Sequence, residues 1–210
     1  MSWMQFGSHH YEIGSDTMPP GVTSRDVALS LAKINRFTGH SNVPYSVAQH
    51  STHVSMLLDH DPVLALYGLL HDVAESVVQD LSHPMKQALG PDGLSKYKAI
   101  EHQAEKAIYG VLGVVHPMPA WIAKAVKKQD WVAVATEKRD LLPPCDRSWD
   151  MLVEPPSFSH IMPCPDWKHA AVVWHQRFED LCKQCQNLPM PLEPMLMIAP
   201  PLKDANEDGA

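Results

Sequence analysis

The stretch Asp61-Pro62-Val63-Leu64-Ala65-Leu66-Tyr67-Gly68-Leu69-Leu70-His71-Asp72-Val73-Ala74-Glu75 opens as a helix should, with an N-cap aspartate followed by proline at the first helical position. Leu66, Leu69, Leu70, Val73 and Val77 then recur at spacings of three, one, three and four, the period of a helix that buries one face. The pattern predicts one buried helix that carries His71 and Asp72 in its middle. Leu81-Ser82-His83-Pro84 ends it, because the residue before a proline is biased away from helix. A charged pair inside an apolar stripe is costly unless something compensates, and a metal ion is the simplest compensation. Neighbouring residues on a helix stand about 100° apart, so both can reach one ion, with Glu75 one turn further along.

Working outward, the other elements also read as helices. Thr23 and Asp26 make a cap signal ahead of Val27, Leu31 and Ile34, and this first helix is expected to end near Gly39. Ser46 and Gln49 form a second candidate capping box, opening a helix whose stripe is Val47, Val54, Leu57 and Leu58, with His50 on it. A long helix from about Ser95 to Val115 carries Tyr97, Ala104, Ile108, Val111 and Val115 on one face. The next begins near Pro119 with the stripe Ile122, Val126, Asp130, Ala133 and Glu137. Asp130 therefore points inward and needs a partner. A last helix opens at Asp166 and shows Ala170, Val173, Trp174, Arg177, Leu181 and Cys185.

The pattern gives an all-α bundle over residues 23–188. Residues 1–22 read as an irregular N-terminal arm, and residues 189–210 as a mobile tail dominated by prolines and acidic residues. Residues 142–165 are too rich in Pro and loop formers for an ordinary helix connection; with Trp149, Phe158 and His160 embedded, they suit a lid or an oligomer contact. No internal repeat and no convincing alternation of strand type emerges.

At 210 residues, one compact domain with appendages is the expected organisation. The formal net charge of −7 argues against a broad footprint for a nucleic-acid polymer or an anionic membrane. Four cysteines and no long apolar run point to a reducing cytoplasm. Cys182-Lys-Gln-Cys185 lies in a periodic helix without a second such pair, which weighs against zinc or redox chemistry there. Thirteen histidines exceed what composition alone suggests and direct attention to metal ligands.

His50, His71, Asp72 and Asp130 are the inward-facing candidates. Two imidazoles and two carboxylates form a mixed set that suits Co, Mn, Fe, Zn or Mg better than a closed structural zinc site. Such an ion would acidify water and neutralise phosphoryl charge. Arg36 offers a planar fork for phosphate oxygens, Lys86 a point charge, and Phe37 an apolar face for a sugar or base.

This H…HD…D order on separate helices resembles the HD-domain phosphohydrolases over roughly residues 23–141. His50 in Ser46-Val47-Ala48-Gln49-His50 matches the family's first histidine, Leu70-His71-Asp72 its central pair, and Asp130 its last aspartate. Within the superfamily the chain is most similar to the 5′-deoxynucleotidases and the phage dATP triphosphohydrolases. Arg36 is similar to their phosphate-orienting arginine and Phe37 to the aromatic after it. Asp80-Leu81-Ser82-His83-Pro84-Met85-Lys86 matches the segment that lines their nucleotide pocket.

The resemblance implies acid/base roles for Glu75 and Asp80, substrate contacts from Asn35, Arg36, Phe37, His40, Asp80, His83 and Lys86, a divalent ion and a homo-oligomer. It implies hydrolysis of a deoxynucleotide phosphoester in the cytoplasm, that of a bacterial host if the chain is phage-encoded. The stretches Arg36-Phe37-Thr38-Gly39-His40 and Tyr45-Ser46-Val47-Ala48-Gln49-His50 tilt the expectation toward dATP, with triphosphate leaving and dADP and dAMP as further substrates. Such an activity would favour a modified purine in phage DNA. Hydrolysis of deoxynucleoside monophosphates is the enzymatic alternative, and a catalytically silent nucleotide sensor is the alternative of another class. Plainer roles stand beside these: Arg36 as a cation at a helix C-terminus, Lys86 as a solvated charge, Phe37 as core, His53 as a surface histidine or one lying behind the ligands, and Glu137, Arg139 and Asp140 as a helix-surface salt network.

Overall fold

The computed structural model describes residues 2–149 and 154–186, so the predicted tail at 189–210 lies outside the described residues. The helices are α1 (Ser24–Leu31), α2 (Val47–Leu57), α3 (Pro62–Leu70), α4 (Glu75–Val78), α5 (His83–Ala88), α6 (Gly90–Leu112), α7 (Ala120–Leu141) and α8 (Trp167–Gln186). The fold is an all-α bundle with one small hairpin at its edge. The antiparallel pair α2 and α3 sits at its centre. It is flanked by α7 and α8, with α1 against α8 and α6 against α4 and α5.

The central helix follows its sequence closely at its start. Asp61 accepts from the Val63 and Leu64 amides, with Pro62 at the first position. Every residue from Leu64 to Leu70 is buried, as befits a helix that is apolar on all sides. Gly68 lets α2 approach: a Cβ there would stand 2.8 Å from Leu58 Cδ1 and 3.3 Å from Ser55 Cα.

The expected continuous helix through His71-Asp72 is broken. α3 stops at Leu70, and the Val73, Glu75, Ser76 and Val77 amides donate to carbonyls three residues back, at Leu70, Asp72, Val73 and Ala74. This tighter winding turns the chain between α3 and α4, a local change that neither glycine nor proline announces. α4 then ends at Gln79, whose φ of 68° is unusual for a residue with a side chain.

Three other expectations need correction. Residues 3–12 form a hairpin, with β1 (Trp3–Phe6) paired to β2 (His9–Glu12) through Gly7-Ser8. Its four-residue strands bury only Phe6 and Tyr11 deeply, too little alternation to read. The first helix ends at Leu31 because Ile34–Arg36 leaves it to pair with the segment before α2: Arg36 N–H donates to Tyr45 O, and Val47 N–H to Ile34 O. Finally, α6 starts at Gly90 and is capped by left-handed Gly113; its stripe runs Ala104, Ile108, Leu112, leaving Val111 and Val115 exposed.

The described parts of 142–165 fold back on α7. Ser157 N–H donates to Thr136, Arg139 donates to the Ser157 and Ser159 carbonyls, and Cys164 N–H donates to the Gln49 side chain. Cys182 and Cys185 pack partly buried on the core. Among the described residues neither belongs to a group of three metal-ligating side chains.

Candidate metal centre

Three segments bring the four predicted ligands together. α2 supplies His50, the turn after α3 supplies His71 and Asp72, and α7 supplies Asp130. His50 Nε2 lies 3.3 Å from His71 Nε2, 3.5 Å from Asp72 Oδ2 and 3.2 Å from Asp130 Oδ1. His71 Nε2 lies 3.1 Å from Asp72 Oδ2 and 3.8 Å from Asp130 Oδ1.

The other face of each ring fixes its tautomer. His71 Nδ1 is 2.8 Å from the Gly68 carbonyl, which can only accept. His50 Nδ1 is 2.6 Å from Glu137 Oε1. With both Nδ1 atoms donating, the two Nε2 atoms of neutral rings turn lone pairs toward each other and toward two carboxylates. Such a cluster is satisfied by added positive charge, whether a proton on His50 or a metal ion. Donor atoms bound about 2.0–2.2 Å from one ion stand roughly 3–3.5 Å apart, close to the spacing of His50, His71 and Asp72, while Asp130 approaches His50 but stands further from His71, so the donor set is compatible with a divalent metal ion.

The titration behaviour follows from the same crowding. Burial and Arg36 oppose a proton on His50, yet Glu137 and Asp130 outweigh them and raise its pKa to about 9. Burial also works against charge on Asp72 and Asp130, but the two histidines hold both carboxyls well below the usual range. Burial, reinforced by Asp72 and Asp80, pushes Glu75 well above it. Asp80 is raised by burial and by Asp72.

Arg36 is buried beside the cluster, 3.2 Å through Nε from Glu137 Oε2 and 3.7 Å through Nη1 from Asp72 Oδ2. The residues that follow, Phe37 and Thr38, both adopt left-handed backbone with φ of 53°, a strained pair that turns the chain sharply past the site. Phe37 is half-buried rather than core. Its ring meets the Arg36 guanidinium at 5.4 Å and Trp149 at 6.1 Å.

A cavity of about 490 Å³ opens on one side of His71 and Asp72, lined also by Glu75, Lys86, Lys98 and Glu101. That volume lies within the range of small-molecule sites, about 300–1,000 Å³. Glu75 is buried against it with Oε2 unpaired, and Lys86 reaches Glu101 at 3.0 Å. Asn35, His40 and His83 are exposed, and among the described residues no hydrogen bond or ion pair joins them to the cluster.

Glu137 is the residue that sequence reasoning undervalued. It is fully buried and links His50 to Arg36, whereas Arg139 and Asp140 do form a network near the surface, with His160. Its signal was present: Glu137 lies seven residues from Asp130 on the same stripe. Lys98 carried no comparable signal, since only the fold brings α6 to the cavity.

Together these features define a helical-bundle protein with a buried His/Asp cluster suited to a divalent ion beside a cavity. No protein-family model matches the chain. It is 34% identical over 180 residues to the uncharacterized protein YfdR of Escherichia coli, covering 83% of this chain and 92% of the relative. It is also 30% identical over 133 residues to an uncharacterized protein of Rhodobacter capsulatus, covering 60% of this chain and 66% of that one. The chain belongs to the family of YfdR. Among the described residues no helix is long and apolar enough to cross a membrane.

Proposed function

We propose that this protein is a metal-dependent phosphohydrolase of the HD-domain kind, acting on a deoxynucleotide. The observation that carries the reading is the convergence of His50, His71, Asp72 and Asp130 from separate segments, with the Arg36 guanidinium against them and a cavity beside them. A divalent ion at these four residues supplies Lewis acidity, making water a stronger acid and offsetting phosphoryl charge.

The chain's own residues do the rest. Arg36, held by Glu137, presents a fixed cationic fork at the edge of the cluster, suited to orienting phosphate oxygens. Lys86 and Lys98 place further positive charge on the cavity wall for distal oxygens. Glu75 borders both Asp72 and the cavity, where a carboxyl can pass a proton between water and a leaving 5′-oxygen. Asp80 acts on Arg36 and Glu75 through its charge.

The substrate favoured by the resemblance is dATP, with water cleaving it to deoxyadenosine and triphosphate. Purified protein is to be incubated with each dNTP and dNMP plus Co, Mn, Mg or Zn, and products resolved by chromatography. Deoxynucleoside with triphosphate, lost on chelation, is the expected result. Activity confined to dNMPs replaces the triphosphohydrolase by a 5′-nucleotidase, and no product from any substrate rejects the enzyme.

A further inference from the structure

We propose that His102, Glu105 and His116 form a second metal-ion site, for a divalent ion of the zinc, cobalt or nickel class, at the wall of the cavity beside His71 and Asp72. His102 and Glu105 are three residues apart on α6 and so share a face; His116 comes from the turn that follows. Glu105 Oε2 lies 3.3 Å from His116 Nε2 and 3.9 Å from His102 Nδ1, and donor atoms of all three residues lie within 4.8 Å of one another.

The telling atom is His116 Nε2. The His116 side chain is only 9% exposed, and this nitrogen is buried without a hydrogen bond, although Glu105 Oε2 is 3.3 Å away. Nitrogen and oxygen thus converge without pointing at each other. An unsatisfied buried polar atom costs about 1–3 kcal/mol, and a cation between the two groups satisfies both. Imidazole and carboxylate donors in this number leave a coordination position open and suit zinc and its neighbours.

The histidine is presented by a fixed frame. Its ring packs edge-on against buried Tyr109 with centroids 5.4 Å apart, and the Tyr67 hydroxyl donates to the Val115 carbonyl just before it. Since His102 and Glu105 line the cavity shared by His71 and Asp72, an ion here borders the same space as the His50 cluster. His102 is more than half exposed, so this ion exchanges more readily than one at the buried cluster. The site stands whether or not the cavity takes a nucleotide.

The test is metal stoichiometry. Full-length protein is stripped with chelator, incubated with zinc alone, desalted under low free zinc and assayed for metal per chain, with circular dichroism to confirm folding. Wild type is expected to hold two ions, His102→Ala and Glu105→Gln one each, and Asp72→Ala one. His102→Ala changes an exposed side chain and spares the fold even if a His116 variant does not. One ion in wild type, lost in Asp72→Ala, overturns the second site alone. Retention of two ions by both His102→Ala and Glu105→Gln also overturns it, whereas loss in these variants with none in Asp72→Ala rejects the His50 cluster instead.

Discussion

Glu137 Oε1 accepts a hydrogen bond from His50 Nδ1 at 2.6 Å while its other oxygen lies 3.2 Å from Arg36 Nε, so one buried carboxylate orients both a metal ligand and the phosphate-facing arginine. Burial disfavours its charge, but Arg36 and His50 keep its pKa below the ordinary value. Glu137→Gln keeps the shape and removes the charge. Loss of such an outer partner lowers metal affinity about 10–100-fold. Glu137→Ala also leaves Arg36 buried and less compensated, a loss of about 3–5 kcal/mol in stability. Zinc titration and thermal melts check both, and unchanged zinc affinity in Glu137→Gln rejects the orienting role.

Asp72 and Glu75 are three residues apart, yet they answer to different measurements. Asp72 Oδ2 is in the cluster, 3.1 Å from His71 Nε2, whereas Glu75 lines the cavity with an unpaired oxygen. Asp72→Ala is expected to lose the ion of the His50 cluster and to abolish turnover. Glu75→Ala is expected to retain the ion and lose turnover by about 100-fold or more, the usual scale for general acid/base groups. Turnover retained by Asp72→Ala sinks the proposed site.

How much of this could be read beforehand depended on the range of the interaction. His50 and Asp130 were visible because each interrupts an apolar stripe of helical period, and the caps at Thr23, Ser46 and Asp61 were local signals that the structure realises. The break at His71 was not visible. It arises where His71 turns its Nδ1 to the Gly68 carbonyl and the winding tightens to place two ligands between α2 and α7, a tertiary requirement. Arg36 was expected at a helix end, but the pairing of Ile34–Arg36 with Tyr45–Val47, which sets its position, joins segments of no strand pattern. Glu137 was obscured by Arg139 and Asp140, whose charges made that turn look solvent-facing.

Gly68 ties packing to the site. Its missing Cβ admits Ser55 and Leu58 of the neighbouring segment, and its carbonyl receives the His71 ring. Gly68→Ala brings a methyl group against the Ser55 backbone, which cannot rotate away. Overpacking of this kind costs about 1–3 kcal/mol, partly offset by better helix propensity. A lowered melting temperature together with weaker zinc binding is expected, and a variant as stable as wild type shows that α2 and α3 can part without harm.

Metal uptake at the His50 cluster must compete with a proton. In the absence of an ion, His50 is held protonated up to about pH 9, chiefly because Glu137 and Asp130 outweigh burial and Arg36. An ion needs that nitrogen bare, so below this pKa binding releases the proton, and lowering the pH favours the metal-free form. With one proton displaced, zinc affinity falls about tenfold for each unit of pH below the raised pKa. A site built from carboxylates alone responds in the same direction but only below about pH 5. Calorimetry of zinc binding in two buffers of different ionisation enthalpy counts the released protons directly. A value near zero at pH 7.5, with affinity unchanged between about pH 7 and 8.5, rejects the competition and with it the assignment of His50 Nε2 as a ligand atom.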